Sequence, residues 1–277
     1  MDKRSALPGV SGMLQPMRSR NARESGSDGR ATTTFRFYAE LNDFLIPERR
    51  HQSFEHTFDG TPSVKDRIES LGVPHTEVDL VLVDGEPVGF DHLLRGGERV
   101  AVYPVFEAFD VEPISRLRPR PLREPRFILD VHLGRLAGYL RALGFDSSYA
   151  NDLSDEHIIA TALAEHRIIL TRDTGILKDG RVTHGRFVHA TEPLKQAREI
   201  VDRFQLEGLF APFTRCIRCN GRIRPVSTDS LEPDSVPAGV REDFDTFTRC
   251  SKCGRIYWPG SHFDRLLERF ESVGIEV

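Results

Sequence analysis

Two short stretches decide the fold: RFILD at 126–130 and RIILTRD at 167–173. Each is an apolar run of strand length that ends in an aspartate. Between them, HLGRLAGYLRALG (132–144) places Leu133, Leu136, Ala137, Leu140 and Leu143 on one helical face, with Gly144 as the stop. FDSSYA (145–150) reads as a second strand. LSDEHIIATALAEH (153–166) reads as a helix with Ser154 as N-cap. Beyond the second aspartate, GRFVHA (185–190) is a fourth strand candidate and EPLKQAREIVDRFQL (192–206) a further helix. This alternation predicts an α/β unit, a parallel sheet with helices on both faces. In such sheets the site lies outside the carboxyl ends of the strands.

The acids follow that rule. Asp130 and Asp173 end two strands, and Asp155, beside Glu156, opens the helix between them. A single acid at a strand end often does no more than cap the next helix. Three at equivalent topological positions point further. Clustered carboxylates raise each other's pKa, and a hard divalent cation removes that penalty. Magnesium takes oxygen ligands and keeps several waters, leaving room for a phosphate. The expected chemistry is metal-assisted phosphodiester hydrolysis, with Mg or Mn on Asp130, Asp155 and Asp173 and Glu156 as secondary ligand or base. Arg172 and Lys178 flank the third acid and are candidates for holding substrate phosphate, or ordinary surface residues. Gly134 and Gly138 suggest close helix packing. No G-x-x-x-x-G-K-[ST] loop is present.

All four cysteines fall late, as Cys216-x-x-Cys219 and Cys250-x-x-Cys253. Two such pairs supply the four thiolates of a closed structural zinc site. A thioredoxin-like redox pair fits poorly, since neither pair opens a helix after a strand. The 30 residues between the pairs contain Pro225, Pro233 and Pro237 and read as a loop insertion. Arg215, Arg218, Arg222 and Arg224 surround the first pair, and Arg249, Lys252 and Arg255 the second. Tyr257, Trp258, His262 and Phe263 follow. Arginines among aromatics suit single-stranded RNA, with Arg218 and Arg222 as substrate contacts. The competing reading makes Tyr257 and Trp258 anchors for the ribbon. Phe263, Leu266, Leu267 and Phe270 have helical spacing and are assigned to packing.

Upstream, residues 31–109 form a separate unit. In TTFRFYAEL (33–41), alternation puts Phe35, Phe37 and Ala39 on one strand face. Then come SFEHTF (53–58), a short helix in 62–72, VDLVLVDGEPVG with a turn at Asp84-Gly85, and ERVAVYPVF. This order resembles a β-grasp (ubiquitin-like) domain. Gly96-Gly97 precedes the last strand instead of ending the chain, which favours a docking role over conjugation. The linker 110–125 carries four prolines and Arg116, Arg118, Arg120 and Arg123. Residues 1–30 read as a disordered tail without a secretory signal.

FILDVHLGRLAGYLRALGFD, LSDEHIIATALAEHRIILTRD, CIRCN and CSKCGRIYWPGSHFDRL together resemble the bacterial Mut-seven C-terminal RNase family, over about 126–270. That resemblance implies a PIN-like nuclease domain (126–210), a C-terminal zinc ribbon (211–277) and metal-dependent RNA cleavage. Some members also carry an N-terminal ubiquitin-like domain. It matches Asp130, Asp155 and Asp173 to the acidic positions. Many PIN nucleases have a fourth acid, for which Asp152, Glu156 and Asp179 are the candidates.

Composition agrees. The 277 residues carry 38 Lys and Arg against 42 Asp and Glu, a net charge of −4, so RNA binding must come from local patches. No apolar run approaches the ~18 residues of a membrane span. The expected protein is a cytoplasmic ribonuclease with structural zinc, whose β-grasp unit recruits a protein partner. The alternative is a non-catalytic RNA- or ribosome-binding adaptor.

Overall fold

The computed structural model describes residues 30–104, 125–232 and 235–277. The expected tail, all but its last residue, and most of the Pro/Arg linker lie outside them. The first unit comprises β1 (Arg30–Phe37), β2 (Phe54–Asp59), α1 (Val64–Ser70), β3 (Val78–Val83), β4 (Glu86–Val88) and β5 (Arg99–Pro104). Their order in the sheet is β2-β1-β5-β3-β4, with β1 and β5 parallel and the other pairs antiparallel. This is the β-grasp arrangement. Phe35, Phe37, Ile68, Val81 and Val102 fill its core. Ser63 and Asp66 close a reciprocal capping box on α1. Asp84 and Gly85 both have positive φ, 50° and 91°, as a two-residue hairpin turn requires. The first strand ends at Phe37. Ala39 is exposed, at φ 46°, and opens a 3-10 turn instead of joining the Phe35 face.

The second unit runs β6 (Arg126–Leu129), α2 (Gly134–Ala142), β7 (Asp146–Ser148), α3 (Asp155–Glu165), β8 (Ile168–Thr171), α4 (Thr174–Lys178), β9 (Gly185–Phe187) and α5 (Pro193–Arg203). The sheet order is β7-β6-β8-β9, every pair parallel. Strand alternation gives the sheet two faces. Phe127, Leu129, Ile168 and Leu170 pack under α2 and α5, while Ile128 and Ile169 pack under α3 and α4. The five residues expected on the α2 side are all buried. The chain leaves β6 for β7 on one side and returns to β8 on the other, so the topological switch point lies at the carboxyl ends of β6 and β8. Gly134 and Gly138 give close approach to Tyr149 and Ile217.

The third unit contains β10 (Ile223–Val226), α6 (Ala238–Asp243), β11 (Phe247–Cys250), β12 (Ile256–Tyr257) and α7 (Ser261–Glu271). The segment between the cysteine pairs is more than a loop insertion. It supplies two strands, a helix and a small core of Leu231, Val236 and Phe247. Pro225 is tolerated because β10 is an edge strand, and Pro237 sits at the N-cap of α6. Helix α7 returns to the parallel-sheet unit, where Phe270 is fully buried against Tyr139. Among the described residues, no helix is long and apolar enough to cross a membrane.

Both open edges of the parallel sheet are covered by the neighbouring units, which removes a hazard of unpaired strand edges. On β7, Ser147 N–H donates to Asn220 Oδ1 (3.1 Å) from the first cysteine knuckle, and the Ser147 carbonyl accepts from Arg141 Nε (2.8 Å). Arg141 also donates to the carbonyls of Ile217 and Arg218. On β9, Phe187 N–H donates to Glu77 Oε1 (2.5 Å) of the β-grasp unit. Glu77 is fully buried and pairs with Arg186. His75 Nε2 meets the Val182 carbonyl at 2.8 Å beside it.

Candidate active site and metal centre

Asp130 follows β6 directly and is 4% exposed. Its Oδ1 accepts from His132 N–H (2.8 Å), capping a short 3-10 turn. Its Oδ2 accepts from the Thr171 hydroxyl and from Arg172 N–H (2.9 Å), both at the end of β8. Thr171 Oγ1 in turn accepts from Asp173 N–H at 2.8 Å. One buried hydroxyl therefore ties the two acid-bearing strand ends together. Asp173 itself is exposed and caps α4 through Gly175 N–H (2.7 Å).

Arg172 is turned to a different task from the phosphate contact considered above. Its Nη1 donates to the carbonyls of Val188, His189 and Ala190, at 2.7, 2.9 and 2.7 Å. Glu199 of α5 accepts from the amides of His189 and Ala190 in the same segment. Arg172 and Glu199 thus fix one wall of the carboxyl edge. Lys178 lies half-buried on the last turn of α4.

Asp155 is exposed at the first turn of α3, whose N-cap is Ser154 as the sequence predicts. Both oxygens of Glu156 accept from Arg181, each at 2.8 Å. Arg181 also binds Asp179, and its guanidinium holds the Asp179 carboxyl down at about 2. Glu156 and Asp179 thus form a closed triad with Arg181. Asp152 is exposed in the turn before α3.

The donor chemistry of this edge suits a hard cation. Asp130 and Asp173 offer carboxylate oxygens from adjacent strand ends, and Asp155 offers a third from the neighbouring helix. Among the described residues, the three acids do not converge within 4.8 Å; the four cysteines do. Magnesium keeps several waters and takes only one or two carboxylates directly, so acids set this far apart would not all contact one ion.

The thiol centre is closed. Cys216 Sγ lies 3.6 Å from Cys253 Sγ, and Cys219 Sγ 3.5 Å from Cys250 Sγ. The backbone N–H groups of Lys252 and Cys253 point at Cys250 Sγ, at 3.4 and 3.5 Å. A Cβ on Gly221 would come within 2.8 Å of Cys250 Sγ, so the knuckle needs glycine there. Burial pushes the Cys216 thiol up, but the Tyr257 hydroxyl (3.0 Å) and nearby amides outweigh it and bring it to about 6. Burial pushes Cys219 up to about 12. Four thiols at this spacing have the donor number and softness of a structural zinc site, with every position filled by protein. Tyr257 serves the knuckle, and Trp258 packs partly on the ribbon core.

Taken together, the fold is a parallel α/β domain with acids at its switch point, edged by a β-grasp unit and a four-thiol ribbon. The family model described as the Mut7-C RNAse domain matches residues 125–270, and that described as Mut7-C ubiquitin matches residues 30–110. The chain belongs to the Mut7-C RNAse domain family. Comparison with curated proteins and with solved structures found no match.

Sequence reasoning missed Thr171, Arg181 and Glu199. Thr171 carried a signal, a polar side chain ending an apolar strand two positions before the next acid. Arg181 and Glu199 carried none.

Proposed function

We propose that the chain hydrolyses RNA phosphodiester bonds at the carboxyl edge of its parallel sheet, using Mg or Mn held by Asp130, Asp155 and Asp173. The observation that carries this reading is the Asp130–Thr171–Asp173 connection across two adjacent strand ends. When bound, the ion supplies a water of lowered pKa and polarises the phosphate. Asp130 is held in one orientation by three protein donors, so it meets a ligand without reorganising. Asp173 and Asp155 stand in solvent, where a substrate phosphate arrives. Lys178 is the phosphate contact on α4, while Arg172 positions the wall opposite. Glu156 holds Arg181 beside the edge.

Zinc fits the cysteine quartet and acts by folding the ribbon. The β-grasp unit docks on β9 and leaves its outer sheet face, with the Tyr38–Tyr103 stack at 4.3 Å, for a protein partner. The test of the activity is incubation of the purified zinc-loaded protein with single-stranded and structured RNAs, with magnesium, with manganese and without either. Cleavage that requires the added ion is the expected result. RNA that is bound but never cut would favour the adaptor reading instead.

A further inference from the structure

Among the described residues, four strands end a sheet outside the seams around the parallel one: β2 and β4 of the β-grasp unit, β10 and β12 of the ribbon. β4 has three residues with Pro87 among them, and β12 has two. β10, which follows the exposed knuckle arginines Arg218 and Arg222, carries Pro225. β2 differs. It runs six residues, FEHTFD, in unbroken register with β1, and has none of the prolines, lysines or bulges that close an edge. Its backbone groups can be sorted. Thr34 N–H donates to the Glu98 carbonyl (3.0 Å), and the Thr32 carbonyl accepts from Gly97 N–H (2.7 Å), so the even-numbered residues of β1 face β5. The odd-numbered ones, Ala31, Thr33 and Phe35, therefore bond their partners Phe58, His56 and Phe54. The intervening Glu55, Thr57 and Asp59 aim their N–H and C=O groups out of the sheet.

The two faces beside this edge differ in charge. On the α1 face, Arg49 lies over the Phe54 ring (5.1 Å), and His56 stands edge-on to Phe35 (6.0 Å). His56 Nε2 and Arg67 Nε are buried with no hydrogen-bond partner. Burial, then the charges of Arg67 and Arg49, hold the imidazole below its ordinary range, and no acid opposes them. The acids of α1 are engaged elsewhere, Asp66 in the capping box and Glu69 on His75. Glu48 is exposed and pairs with neither arginine. On the outer face, Thr57 meets Thr32 (3.2 Å), Asp59 pairs with Arg30 (3.6 Å), and Glu55 is exposed. Phosphates would answer the arginines and leave the outward carbonyls unmatched. A peptide strand bearing carboxylates answers both. Because side chains alternate along a strand, its acids must fall at every second position to meet the α1 face.

We infer that β2 receives an extended peptide of a partner protein as an added strand, with acidic side chains at alternate positions on Arg49 and Arg67 and uncharged ones facing Glu55. Main-chain bonds to Glu55 and Thr57 supply affinity, and the alternation supplies specificity. The inference goes beyond the outer-face contact proposed above, and it is independent of the ribonuclease reading.

The probe is a ten-residue peptide alternating threonine and glutamate. Its control has the same residues rearranged as five threonines followed by five glutamates. Each is titrated against the full-length protein, with affinity from anisotropy of a labelled copy and the site from amide hydrogen exchange. The expected result is protection of the Glu55 and Thr57 amides by the alternating peptide, with the rearranged one bound about tenfold more weakly or worse. Arg67→Ala should weaken binding about tenfold. Thr57→Pro removes an outward N–H while sparing the ladder to β1, and should abolish protection at Glu55. Circular dichroism confirms that both variants fold. Equal binding of the two peptides overturns the inference, as does no binding, or binding indifferent to both variants. Single-stranded RNA that displaces the peptide and protects the same amides also overturns it, in favour of a nucleic acid. Protection in the protein alone that grows with its concentration overturns it in favour of a second copy. RNA cleavage is read separately, so the ribonuclease reading stands or falls on its own.

Discussion

The Thr171 hydroxyl, at the end of β8, donates to the buried carboxylate of Asp130, at the end of the parallel neighbour β6. The same oxygen accepts from the backbone of Asp173. Two acids 43 positions apart in the chain are thereby set by a single side chain that is itself fully buried. Thr171→Val keeps the shape and removes the donor. It is expected to destabilise the protein by about 1–3 kcal/mol, the cost of a buried acceptor left short of a partner. Thr171→Ser should restore most of that loss. Denaturant titration of the three proteins decides it, and equal midpoints for Val and Thr would show that the bridge does not matter.

A second prediction concerns the seam between the β-grasp and nuclease units. Glu77→Ala leaves Arg186 buried beside only the more distant Glu40 carboxylate, at 3.7 Å. Removing one partner of a buried pair typically costs about 3–5 kcal/mol. Replacing both with methionine should cost far less, because the desolvated charges go together. Limited proteolysis and denaturation of the single and double variants test this. A double variant as unstable as the single one would contradict it.

Acid should loosen the ribbon before the core. Burial pushes the Asp146 carboxyl up, but the bonds from Arg167 and Asn220 outweigh it and hold it below its ordinary value. A group whose native pKa is depressed stabilises the fold above its unfolded pKa, about 3.9 for aspartate, and loses that contribution as pH falls through the lowered native value. Amide exchange at Asn220 and Ser147 should therefore rise in that acid window in the wild type. In Asp146→Asn the same amides should be less protected already at neutral pH, with little further change on acidification.

Zinc removal should act locally. The ribbon buries only a small apolar cluster of its own, so the thiol centre carries its folding. A strong chelator is expected to abolish exchange protection across β10, β11 and β12 and spare β6 and β8. Helix α7 should persist in part, since Phe270 is anchored in the nuclease core. Protection of the ribbon strands unchanged after verified metal loss would contradict a structural zinc.

Much of this was legible beforehand. The apolar runs ending in Asp130 and Asp173, separated by helix-period segments, place both acids at one sheet edge by topology alone. The paired cysteine spacing likewise announces the thiol centre. What escaped were contacts with no local pattern. Glu77 and Arg186 meet across 109 positions, and nothing in HTEVDL marks that glutamate for burial. Leu231, Val236 and Phe247 follow neither helical nor strand periodicity, which is why their segment reads as a loop. Arg172 looks like a phosphate contact because it neighbours an acid, yet just beyond β8 its guanidinium donates to the carbonyls after β9, partners 16 to 18 positions away.

The most direct test of the central claim is RNA cleavage by Asp130→Asn and Asp173→Asn beside the wild type, with magnesium or manganese. Circular dichroism and zinc content confirm that each variant is folded. The account predicts metal-dependent cleavage by the wild type and a loss of at least about a hundredfold in each variant, on the scale of removing a positioned catalytic group. Folded variants that cut RNA as fast as the wild type would contradict it and place the chemistry elsewhere in the molecule.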